Sequence, residues 1–172
     1  SPSRGLGDVY KRQVQASDSS FEIRQIFRHK KRFLDLLLLA DEQESMIDLY
    51  LERGEMFALY DQNILKTICV VTDEGGKTIE LKNIATDPQY QKQGYGKRLI
   101  RFISEHYAGK YDTLLVGTGE SPLTIPFYAQ NGFKYSHRIK DFFTDNYDHP
   151  IYEDGKQLVD MVYLRKELSK SK

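Results

Sequence analysis

Phe21–Phe27 alternates apolar and polar positions, with Phe21, Ile23 and, at its end, Phe27 on one side, which predicts a short strand. Lys30–Ala40 follows with a dense leucine stripe, and its run Leu36–Leu39 is expected in the core. Asp41–Arg53 opens on acidic residues suited to a helix N-terminus, repeats Met46, Leu49 and Tyr50 at helical spacing and stops at Gly54. Two successive helices are predicted. Glu55–Tyr60 and Ile64–Thr72 then read as strands joined by a turn at Asp61–Asn63, and Gly75-Gly76 turns the chain into a third strand, Lys77–Thr86. A helix is predicted over Tyr95–Tyr107, its apolar face made of Leu99, Ile100, Phe102, Ile103 and Tyr107. Thr113–Val116 reads as a buried strand, and Ser121-Pro122 as the start of a short helix ending at Gly132. Phe133–Arg138 and Leu158–Arg165 complete the strands, separated by an acidic, aromatic linker, Lys140–Lys156. The order β-α-α-β-β-β-α-β-α-β-β predicts a mixed-sheet α/β (α+β) domain.

Composition narrows the class. With 172 residues, 40% hydrophobic and 29% charged, the chain is apolar enough for a sizeable core. Its 25 basic and 25 acidic side chains balance, so no large positive field exists to attract nucleic acid. Cys69 is the only cysteine, which excludes a disulfide framework and a cysteine metal cluster. The longest apolar run, Leu36–Ala40, is too short to span a bilayer, and no signal peptide is visible. A cytoplasmic enzyme or binding module is expected, with neither nucleic acid nor membrane as partner and with a homodimer allowed.

The first thirteen residues fit no periodic pattern. Ser3–Gln13 reads as one frame of a widely used transposase-based sequencing adaptor, so residues 1–13 are expected to be non-native and 14–172 to form a single domain. The alternative is a disordered native terminus, and the source DNA distinguishes the two. Without the three basic and one acidic residues of that segment, the body carries a charge of about −2.

The chemistry concentrates in Glu80–Ile100, where a strand runs into Gln91-Lys92-Gln93-Gly94-Tyr95-Gly96 and then into a helix. Glycines let backbone approach an anion, and the first free amides of a helix carry the positive end of its dipole. Such a place suits a pyrophosphate, with Lys92, Lys97 and Arg98 adding charge. A dinucleotide fingerprint needs a third glycine where Leu99 stands, and a nucleoside-triphosphate loop needs Lys-Ser or Lys-Thr where Lys97-Arg98 stands. The Q/R-x-x-G-x-G/A loop that holds the pyrophosphate of coenzyme A fits at each required position. Taken alone, the loop is also compatible with a structural glycine turn.

Asn83–Gly96 together with Pro126-Phe-Tyr-Ala-Gln-Asn-Gly-Phe133 resembles the GNAT family of acyl-CoA-dependent N-acetyltransferases, over nearly all of Phe21–Leu168. The resemblance implies the acyl-CoA N-acyltransferase fold and acetyl-CoA as donor substrate, without a metal. It implies that the backbone of Asn83, Ile84 and Ala85 holds the pantetheine arm, and that the amides of Gln91, Lys92, Gln93, Gly94, Tyr95, Gly96 and Lys97 hold the pyrophosphate. Tyr128 matches the tyrosine that protonates the leaving thiolate; its alternative role is a ring packed under the sheet. Glu80 stands fourteen residues before Gly94, where some members carry a catalytic glutamate; its alternative is a solvated strand residue, with water carrying the proton. Strand alternation puts Glu80, Lys82 and Ile84 on one face, away from Ile79, Leu81 and Asn83. Ser121 is a further cofactor candidate, at a place where many relatives have Asn nearby.

The acceptor is expected to be a primary amine on a small molecule or protein. The linker Lys140–Lys156 is a candidate for part of its site, because carboxylates and ring faces attract ammonium groups; an ordinary hairpin loop is the alternative. His137 could line that site or be a surface histidine. Cys69, between Ile68 and Val70, is expected to be a buried thiol, which favours direct transfer over an acyl-enzyme. The competing classes are an acyl-CoA-binding or regulatory module without turnover, and an interaction protein stabilised by the cofactor.

Overall fold

The computed structural model describes Val14–Gln15 and residues 20–168. Residues 1–13, on which the adaptor reading falls, lie outside the described residues. The chain forms two compact units, one from residues up to Thr72 with Lys82–Ile100, the other from Asp73–Leu81 with Arg101 onward.

In the first unit, β1 (Val14–Gln15), β2 (Phe21–Ile26), β3 (Glu55–Asp61) and β4 (Ile64–Gly75, ending in the second unit) are antiparallel neighbours in that order. Strand β2 stops one residue short of Phe27, which is exposed. Gln62 and Asn63 form the two-residue loop between β3 and β4, both with positive φ (52° and 67°), as a tight hairpin between right-twisted strands requires. Between β2 and β3 lie a 3-10 turn, Lys30–Phe33, and two short helices, α1 (Leu34–Ala40) and α2 (Glu44–Ile47). Leu37 of α1, Ile47 of α2 and Leu51, just beyond α2, share one buried cluster with Ile26, Met56 and Ile68. Truncating the fully buried Leu37 to Ala is worth about 2–5 kcal/mol.

Two helix expectations need correction here. Leu39 is 54% exposed, because successive residues turn by ~100° around a helix and four in a row cannot share one face. The helix predicted over Asp41–Arg53 contracts to α2. Beyond Ile47 the bonds mix i→i+3 and i→i+4 steps, and the buried Lys30 ammonium donates to the carbonyls of Leu51 (3.0 Å) and Gly54 (2.6 Å). A long-range cation thus satisfies carbonyls that the end of a helix leaves without intrahelical partners.

Strand β5 (Thr78–Thr86) contributes Lys82–Thr86 to the first unit, and helix α3 (Tyr95–Tyr107) has the bounds read from its periodicity. The second unit carries Thr78–Leu81 of β5, then β6 (Thr113–Gly119), α4 (Thr124–Gln130), β7 (Lys134–Ile139), α5 (Phe142–Asn146), β8 (Tyr152–Glu153), β9 (Lys156–Gln157) and β10 (Met161–Glu167). Its strands lie in the order β5-β6-β10-β7. The β5–β6 ladder is parallel, from Thr78–Thr113 to Leu81–Val116, and β10 is antiparallel to both β6 and β7. Lys140–Lys156 is more ordered than a linker. It contains α5 and the first part of the β8–β9 hairpin, and Phe143 and Ile151 join Leu158 in a small satellite core. No helix among the described residues is long and apolar enough to cross a membrane.

Candidate active site

In the first unit, β5 delivers the chain through a short 3-10 turn, Pro88–Tyr90, into the predicted anion loop. Asp87 caps that turn by accepting from the Gln89 amide (2.9 Å). Lys92 and Gly94, separated by Gln93, both have positive φ, 64° and 88°. Left-handed residues interleaved in a turn point backbone amides into a common concavity suited to anions. The Gly94 carbonyl accepts the Arg98 amide (3.0 Å), so α3 begins here, and the amides of its first turn have no partner within the helix. Gln91, Lys92, Gln93, Gly94 and Lys97 are all exposed. Gln91 also ties the loop to its strand by donating to the Thr86 carbonyl (3.2 Å).

Tyr95 anchors the loop. Its hydroxyl donates to Asp61 (2.8 Å), which raises the phenol above its ordinary pKa, and its ring meets Phe21 edge-on. The Lys66 ammonium lies 3.4 Å from the centre of the Tyr90 ring and 5.5 Å from that of Tyr95.

Along β5, burial alternates from Lys82 to Thr86, as the strand reading expects. Asn83 is buried, and its side-chain amide donates to the Leu37 carbonyl (3.0 Å) and the Tyr50 hydroxyl (3.1 Å). Ile84 is half-buried, and the carbonyl of buried Ala85 accepts from Thr67 (2.9 Å).

The second unit holds the predicted acid and base. Glu80 is buried, which removes the solvated alternative, and it accepts a hydrogen bond from the Tyr163 hydroxyl (3.1 Å). Tyr128, on α4, is also buried, its ring edge-on to those of Phe127 and Phe133. Burial, and then the nearby Glu153 charge, push the Tyr128 phenol well above its ordinary value, so it keeps its proton at neutrality. Ser121 sits beside this pair. Its hydroxyl accepts the Leu123 amide (3.0 Å) and hydrogen-bonds Glu153, whose own pKa is raised by burial despite that bond.

Thus the second unit brings together Ser121, Tyr128 and Glu153, and places Glu80 against Tyr163. Asn83–Ala85 and Gln91–Lys97 belong to the first unit. Tyr163 and Glu153 were not marked by the sequence. Tyr163 lies in a strand with no motif, and Glu153 is one of several acids between Lys140 and Lys156. His137 is exposed and stacks on Tyr163. The aromatic residues of the linker mostly face each other, with Tyr147 stacked on Phe143. Among the described residues, no group of three or more His, Cys, Asp and Glu side chains could hold a metal ion.

The second unit has a mixed sheet with a parallel β5–β6 step, and the first has an exposed left-handed turn opening a helix, the features of an α/β protein with a loop suited to an anion. The acetyltransferase (GNAT) domain model matches residues 52–135. An uncharacterized N-acetyltransferase of Bacillus subtilis, YvbK, is 39% identical over 137 residues, covering 78% of this chain and 88% of its own. A GNAT acetyltransferase of Elizabethkingia anophelis, solved with acetyl-CoA bound, is 33% identical with a TM-score of 0.80, over 88% of this chain and 100% of that one. A Bacillus subtilis acetyltransferase in complex with CoA is 36% identical with a TM-score of 0.78, over 85% and 97%. The chain belongs to the GNAT family, and it is an acyl-CoA-dependent N-acetyltransferase.

Proposed function

We propose that the protein moves an acetyl group from acetyl-CoA to a primary amine of a small molecule or protein, by direct attack in a ternary complex. The backbone of Asn83–Ala85 receives the pantetheine arm, and the amides of Gln91–Lys97 receive the pyrophosphate. Glu80 takes the proton from the amine as nitrogen bonds to the acetyl carbon. Tyr128 supplies a proton to sulfur as the carbon–sulfur bond breaks, and solvent restores it. The observation that carries this reading is the loop geometry: left-handed Lys92 and Gly94 directly before the free amides of α3. Support for the acid comes from the place of Tyr128, buried on α4 between the rings of Phe127 and Phe133 in the segment that resembles the family's. Support for direct transfer comes from Cys69, which is fully buried with its thiol pushed up by burial, the opposite of an activated nucleophile. Calorimetry with coenzyme A, then thiol release from acetyl-CoA against polyamines, aminoglycosides and amine-bearing peptides, tests the proposal. Glu80→Gln and Tyr128→Phe should each keep coenzyme binding and lower kcat by about 100-fold or more. A folded protein giving no binding heat would overturn the cofactor site; unchanged kcat in either variant would remove that residue from its role.

A further inference from the structure

Glu80 and Tyr163 are not on neighbouring strands. Strand β6 lies between β5 and β10, so a residue on β10 ordinarily meets β6 first. The crossing is made possible by Gly117. In the β6–β10 register Tyr163 stands opposite Gly117, while Glu80 stands opposite Leu115 on the same β6 strand. A Cβ added at Gly117 would lie 3.0 Å from the Cζ of Tyr163 and 2.9 Å from the Met161 sulfur. With no side chain there, the Tyr163 ring lies down over β6 and its hydroxyl reaches the Glu80 carboxylate (3.1 Å). On its β7 side, the ring is stacked against His137, nearly parallel (3°) at 4.7 Å. The phenol is therefore held by packing in the rotamer that reaches Glu80.

We propose that Tyr163 is a positioning residue for Glu80, aiming its carboxylate through a donated hydrogen bond. The inference rests on the reading of Glu80 as the base. A carboxylate buried on a strand gains from such a donor, because burial alone penalises its charge and leaves its rotamer unfixed. Hydrogen bonds to charged groups are worth ~10- to 100-fold in an equilibrium or rate. Gly117 and His137 serve the same end, one by leaving space and the other by filling it.

The test is a double-mutant cycle on the full chain, using acetyl-CoA and the fastest amine of the panel above. Tyr163→Phe keeps the ring and its stack on His137 and removes only the hydroxyl. It should lower kcat by about 10- to 100-fold and leave the KM for acetyl-CoA unchanged. In a Glu80→Gln background the same substitution should have no further effect on kcat, because the group it acts through is gone. A role confined to packing would instead give the same loss in both backgrounds. Gly117→Ala, which displaces the ring while keeping the hydroxyl, should reproduce part of the kcat loss and covers the case in which Tyr163→Phe folds poorly. If Glu80→Gln retains full kcat, the base reading fails and this inference with it. If Glu80→Gln is inactive but Tyr163→Phe and Gly117→Ala are both fully active, the base stands and the positioning role is overturned.

Discussion

The Tyr95 hydroxyl donates to Asp61 Oδ2 at 2.8 Å, joining the first residue of α3 to the last residue of β3. The other carboxylate oxygen, Asp61 Oδ1, is buried with no hydrogen-bond partner among the described residues. Tyr95 therefore satisfies the one oxygen that is satisfied, and fixes where the Gln91–Gly96 loop meets its helix. Tyr95→Phe should cost about 0.5–1.5 kcal/mol in urea denaturation, the net worth of a half-buried hydrogen bond. It should also weaken coenzyme A binding, measured by calorimetry, while the ring keeps its contact with Phe21. Unchanged stability and affinity would mean that the bond anchors nothing.

Gly94 separates backbone conformation from space. A Cβ there would meet nothing within 4 Å, yet φ is +88°, a region that L side chains rarely adopt. Gly94→Ala should cost about 1 kcal/mol of stability and weaken coenzyme A binding, because relief of the strain turns the loop amides away. Gly75, with φ +86° and equally open surroundings in the β4–β5 turn, is the control. Gly75→Ala should lose similar stability and no coenzyme affinity. Equal affinity losses in both variants would refute a specific role for Gly94.

Glu153 gives a pH-dependent prediction. Burial raises its folded-state pKa above the unfolded value, opposed by the Ser121 hydrogen bond. Its charge therefore destabilises the fold at neutral pH, and the penalty disappears below the unfolded value of about 4.3. Glu153→Gln should melt higher than the parent at pH 7, with the difference closing as pH falls from the raised folded-state value to the unfolded one. A lower melting temperature at pH 7 would mean that the Ser121 bond outweighs burial.

Cys69 tests the order of transfer. The thiol is fully buried and its pKa is raised by burial, so native protein should resist alkylation until unfolded. Incubation with acetyl-CoA alone should leave the protein mass unchanged, and Cys69→Ala should retain kcat. An acetylated Cys69 peptide in mass spectrometry would overturn direct transfer.

Local pattern determined what local physics controls. The periodicity over Tyr95–Tyr107 carries α3 in full, because an amphipathic stripe of that length is specified by its own side chains. The Asp61–Asn63 turn and the Gly94 loop were legible through Asn63 and Gly94, of the few residue types that tolerate a left-handed backbone, whereas Gln62 and Lys92 adopt it without such a signal. The resemblance of Asn83–Gly96 to an acyl-CoA loop was legible from the spacing of Gln91, Gly94 and Gly96. Tertiary structure decided the rest, since burial and partners depend on residues far apart in the chain. The Lys30 ammonium reaches the carbonyls of Leu51 and Gly54 where a longer helix was expected. Glu153 meets Ser121 and Tyr128 only after the Lys140–Lys156 segment folds into a hairpin. Glu80 acquires a phenol eighty-three residues away because Gly117 leaves the intervening strand bare. No periodicity encodes such a pairing, because it exists only once the strands are in register.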